Sequence, residues 1–195
     1  MEPRIRADVK SCTLESDILP PLPLRVSYIE DPKEYDRFLK AVVAQVRRSY
    51  EYHLWTKYVK QTLGYKRCAL TGEVQDDVTI ELHHHPFCLQ DICDVIVNNN
   101  VVNGKSFCTF DIAIEVIELH FQNNVGYIPL CKTLHEKYHN GALTIPINLV
   151  CGNWQYIVDN YVLPDYLKTK MTKLVAVVDS NHIGWRRNEY TSRNN

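Results

Sequence analysis

The chain has no Cys-x-x-Cys pair among its seven cysteines, no stretch approaching the ~18 apolar residues of a membrane span, and no surplus of either charge. Each absence excludes something. An odd number of thiols without paired spacing argues against a disulfide scaffold, so free and mostly buried thiols are expected. The first 24 residues carry mixed charge and no apolar stretch of the secretory kind, which argues against export and predicts a cytoplasmic protein without a membrane segment. A net charge of −1 gives no global attraction to nucleic acid, so such a role would need a local basic face. There is no internal repeat. What is present is a globular composition: 195 residues, 45% of them hydrophobic, enough for one domain with a sizeable core or a core with extensions.

Along the chain, residues 1–27 read as an extended arm stiffened by Pro20-Pro21-Leu22-Pro23. Asp31-Pro32-Lys33-Glu34 predicts a helix start, with Asp31 as N-cap, Pro32 in the first helical position and Glu34 closing a capping box. Apolar residues then recur at Tyr35, Phe38, Leu39, Val42, Val46, Tyr50, Leu54 and Tyr58, the period of one long amphipathic helix within 28–65. Short strands are expected at 66–70 and 78–83, around a turn at Thr71-Gly72 with Glu73, Asp76 and Asp77. Helices follow at 88–102 and 110–122, then a short strand at 126–129 and a short helix at 131–140 stopped by Asn140-Gly141. Helices near 153–161 and 165–177 close the fold within 143–180, and 181–195 is a polar tail with Arg186, Arg187 and Arg193.

Five of the eight histidines fall in two places, Glu81-Leu82-His83-His84-His85-Pro86 and Cys131-Lys132-Thr133-Leu134-His135-Glu136-Lys137-Tyr138-His139. On a helix, His135 and His139 share a face and can chelate one cation. On a strand, His83 and His85 face one way and His84 the other. Pro86 ends that strand and lets neighbouring side chains diverge. One imidazole is then available as a ligand while another, with an ordinary pKa near 6.5, can take a proton. Read literally, residues 135–139 also match HExxH, the zinc metallopeptidase pattern. The helix around them is short, however, and His182 is the only later candidate for a third ligand. His53, His120 and His182 have no partner in sequence and read as structural. Cys68 and Cys131 read as a small buried pair.

The joint pattern of Cys68-Ala69-Leu70-Thr71-Gly72, Ile80-Glu81-Leu82-His83-His84 and Ile128-Pro129-Leu130-Cys131 with His135 and His139 resembles the HNH, or ββα-metal, endonuclease family, as found in bacteriophage-type proteins. The resemblance covers roughly 66–141. It implies an α+β, mostly helical fold: a ββα-metal core at 66–142 with a helical insertion at 88–124, a long N-terminal helix and C-terminal helices. It also implies hydrolysis of phosphodiester bonds in DNA with one divalent ion, Mg, Mn, Ni or Zn. His83 and His135 would be ligands, His139 a third ligand or a phosphate contact, and His84 the general base. A shift of one residue would make His84 the ligand and His85 the base. Arg47, Arg48, Lys132 and Lys137 are the candidate nucleic-acid contacts. The N-terminal helix or arm is a candidate surface for a protein partner or a second copy. If the source is viral, the compartment would be host cytoplasm. This chain departs from the family in lacking paired cysteines, a persuasive middle Asn and a short interval between the histidine segments. A second class of function is therefore a non-catalytic nucleic-acid- or protein-binding module on a degenerate HNH fold.

Overall fold

The computed structural model describes residues 31–180 apart from 75 and 77, so the expected arm at 1–27, the tail at 181–195 and Asp77 of the expected turn lie outside the described residues. Among the described residues the protein is mostly helical, with seven α-helices, one short 3-10 turn and one two-stranded antiparallel sheet. The α+β class expected from the sequence therefore holds.

The first helix begins where its sequence says. In α1 (Pro32–Arg48) the Asp31 carboxylate accepts the backbone N–H of Lys33 at 2.8 Å and of Glu34 at 3.4 Å, with Pro32 in the first turn. Glu34 turns to Arg37 and closes no capping box. The expected single long helix is two helices. Ser49 sits in extended backbone at φ −67° and ψ 147°, donates its hydroxyl proton to the Val46 carbonyl at 2.9 Å and accepts the Tyr52 N–H at 3.1 Å. One serine thus ends α1 and caps α2 (Tyr50–Gln61), a local alternative to helix that an apolar period does not register.

The main core forms where α1 and α2 pack on α3 (Leu89–Val102) and α4 (Thr109–Phe121). Phe38, Leu39, Val42, Val46, Trp55 and Val59 fill one side of it. The middle of α3 is buried around most of its circumference, through Ile92, Cys93, Val95, Ile96 and Val97, as suits a central helix. Two later helices, α6 (Gln155–Asn160) and α7 (Asp165–Ser180), add Ile157 and Leu167. A polar lock holds α1, α3 and α7 together. The buried Asp94 carboxylate accepts hydrogen bonds from the Tyr35 hydroxyl and, at 2.7 Å, from the Tyr166 hydroxyl, while Lys170 reaches Asp91 at 2.9 Å.

The sheet pairs β1 (Ile80–His84) with β2 (Tyr127–Cys131), His83 opposite Ile128 and Ile80 opposite Cys131. The expected strand at 66–70 is reduced to a single bridge between Arg67 and Val74, so β1 finds its partner beyond α3 and α4 rather than across the nearby turn. Ile80, Ile128 and Leu130 form a second, smaller core with Cys68, Cys131 and Ile145, which places the two cysteines in one buried cluster, both as free thiols. The next helix, α5 (Lys132–His139), follows β2 directly and stops at Asn140, with Gly141 in left-handed backbone at φ +72°.

The turn into β2 packs against the end of β1. His85 donates its N–H to the Gly126 carbonyl at 3.1 Å, and a Cβ at residue 126 would lie 2.1 Å from the His85 carbonyl oxygen and 2.7 Å from the Trp154 Cβ. Both obstacles are backbone or close to it, so neither can swing aside. Gly126→Ala is expected to destabilise the protein by about 1–3 kcal/mol, the usual range for overpacking, in chemical denaturation of the purified chain.

Candidate metal centre

Strand alternation divides the three consecutive histidines as their sequence predicts. His83 and His85 lie on the side of β1 that meets α5, and His84 lies on the side that meets α2 and α4. The first side carries a three-histidine cluster. One nitrogen each from His83, His135 and His139 lie within 4.8 Å of one another. His135 and His139, one turn apart on α5, approach to 2.9 Å between their Nε2 atoms. Glu81, two residues before His83 and on the same face of β1, accepts the Nδ1–H of His135, which directs the other ring nitrogen of His135 toward the cluster.

His83 is the buried member, 5% exposed, and its Nε2 has no hydrogen-bond partner. Burial first, and then the neighbouring His135 and His139, push its pKa down to about 3, so the ring is neutral at physiological pH. The Tyr138 ring packs edge-on against it with ring centres 4.4 Å apart. His135 is half-buried and His139 exposed, and the cluster opens into a cleft also lined by Arg47, Tyr52 and Glu81. Three imidazoles, one of them with an orphaned buried nitrogen, are a donor set that fits a divalent metal.

The second side carries a buried pair, although His84 also borders the cleft. Nδ1 of His120 donates to the Val116 carbonyl at 2.6 Å, which leaves its Nε2 as acceptor for the Nε2–H of His84 at 2.8 Å. Tyr52 and Trp55 stack on His84 and meet His120 edge-on. Burial pushes His120 down to about 4, and burial together with His120 holds His84 well below its ordinary range. His85 is 2% exposed, with its Nδ1 3.3 Å from the Tyr138 hydroxyl and its Nε2 unpartnered, and burial ahead of Lys170 pushes it down to about 4. A general base works best with a pKa near the working pH and within reach of water, and neither ring offers both.

The four basic candidates lie on two helices. Arg47 and Arg48 lie in the last turn of α1, and only Arg47 borders the cleft. Lys132 is 3.9 Å from Glu136, the central residue of the literal HExxH, and Lys137 lies exposed on α5. Two participants were missed from sequence. His120 stands 36 residues from His84 and shows its role only through a tertiary contact. Glu81 was visible in Glu81-Leu82-His83, since period-2 spacing puts both on one face, but its target His135 was not.

A family model described as bacteriophage G278-like virion protein matches residues 23–192. No curated protein and no solved structure matches the chain.

The His84–His120 pair generates two expectations. The unfolded chain takes up a proton on His120 near pH 6.5 whereas the folded one resists until about 4, so the unfolded state binds more protons as the pH falls. Stability is fully present above about pH 6.5 and drains away toward pH 4, which thermal melting across that range reads as a falling midpoint. Replacing His120 by Leu strands the His84 N–H in the core and is expected to cost about 1–3 kcal/mol in equilibrium denaturation at pH 7.

Proposed function

The chain belongs to the bacteriophage G278-like virion protein family, and from that membership we propose that it is a non-enzymatic component of a phage particle, acting by binding a neighbouring protein. The family match spans most of the chain and is the observation that carries this reading. It corrects the expectation of an HNH endonuclease: the histidine segments resemble that family's, but the expected first strand is a single bridge, β1 pairs beyond two helices, and the chain is a member of another family. With that correction go the DNA-hydrolase activity, the role of His84 or His85 as general base, and the metallopeptidase reading of residues 135–139. The cytoplasmic expectation is replaced by residence in the particle. No helix among the described residues is long and apolar enough to cross a membrane.

The surface supports protein rather than DNA as the neighbour. Phe110, Ile114 and Phe121 are 66%, 55% and 56% exposed on α4, and their spacing of four and seven residues puts them in one stripe along the helix. Contiguous exposed apolar residues of this kind mark contact surfaces. A net charge of −1 gives no global attraction to a phosphate backbone.

The test is the composition of the particle. In density-purified virions of the encoding phage, mass spectrometry is expected to find this chain. A Phe110→Ser, Ile114→Ser, Phe121→Ser variant is expected to fold normally yet be depleted from particles. Absence of the parent chain from purified virions sinks the reading, as does metal-dependent plasmid nicking that disappears in His84→Ala. Normal incorporation of the triple variant, or particle association lost on DNase treatment, rules out the protein-contact stripe.

A further inference from the structure

We propose that His83, His135 and His139 bind one divalent transition metal of the zinc class, which clasps β1 to α5. This goes beyond the assembly reading and does not depend on it, since it stands on the geometry of the three rings.

Three observations converge. The ligand nitrogens already lie within 4.8 Å of one another, so one ion can reach all three with small side-chain adjustments. His83 keeps a buried ring nitrogen without any hydrogen-bond partner, an arrangement that a protein core normally avoids and that a metal–nitrogen bond resolves. The Glu81 carboxylate holds His135 by Nδ1, so the lone pair of Nε2 points inward, the carboxylate–histidine arrangement that accompanies metal-ligating imidazoles. Close packing of the same rings for purely structural reasons would account for the first observation alone.

The donors also choose the metal. All three donors are imidazole nitrogens, and the nearby carboxylate of Glu81 is committed to His135. Magnesium and calcium need oxygen-rich shells, whereas imidazoles suit zinc, cobalt, nickel and copper. The magnesium and manganese of the nuclease expectation are therefore the poorer fit. The site joins the end of β1 to a helix of only eight residues that contributes no buried residue of its own. That helix gains most from a cross-link, and bound metal stabilises the folded state by mass action.

The test uses the full chain, stripped of metal by chelation, in isothermal titration with zinc chloride and, separately, magnesium chloride. Zinc is expected to bind at one ion per chain and raise the melting temperature, and magnesium to do neither. His139→Ala, at an exposed position that leaves the core intact, is expected to keep the fold by circular dichroism and lose zinc binding. Glu81→Gln is expected to weaken zinc by about 10- to 100-fold, the usual effect of disturbing a carboxylate that orients a ligand. His53→Ala, whose histidine lies outside the cluster, is expected to bind like the parent. Zinc binding that survives His139→Ala, an absence of zinc binding in the folded parent, or magnesium bound as tightly as zinc each overturns the proposal.

Discussion

Everything at the centre of this protein depends on the two-sidedness of one short strand. Side chains on β1 alternate between its faces, so Glu81, His83 and His85 turn toward α5 while His84 turns toward α2 and α4. That alternation places chemically identical neighbours in opposite surroundings. One face becomes a three-histidine cluster and the other a buried hydrogen-bonded pair packed among aromatic rings. The pairing of β1 with β2 keeps the division in register, because a slip of one residue would exchange the two faces.

The buried pair shows how imidazoles become core residues. Burial removes the proton that would have to be solvated, and the single remaining N–H of each ring is used, from His120 to Val116 and from His84 to His120. Tyr52 and Trp55 then cover the pair with aromatic surface. The price is sensitivity to acid. On the other face, the orphaned His83 nitrogen beside His135 and His139 marks an opening for a ligand, and Glu81 orients the ring nearest to it.

Much of this was legible wherever the signal is local. Asp31 and Pro32 announce the start of α1, Asn140-Gly141 announces the end of α5, and spacings of two and four assign the five clustered histidines to faces. The failures share a physical cause. Ser49 breaks the long helix through hydrogen bonds to its own neighbourhood while the apolar period continues through it. The partner of β1 lies beyond two helices, so the nearby residues 66–70 took its place in the expectation. The role of His120 arises only when α4 packs beside β1. The resemblance to HNH nucleases misled for a related reason: a strand bearing histidines and a short helix bearing histidines four apart satisfy the geometry of holding an ion, and that geometry does not specify the family or the chemistry. Family membership supplied what the spacing could not.

The division of the histidines is best tested by nitrogen-15 NMR of the imidazole rings at neutral pH, with and without one equivalent of zinc. Resonances of His83, His135 and His139 are predicted to shift together on zinc addition. Those of His84 and His120 are predicted to stay in place and to show one neutral hydrogen-bonded pair. A zinc-dependent shift at His84, or titration of His84 near neutral pH, would contradict the account.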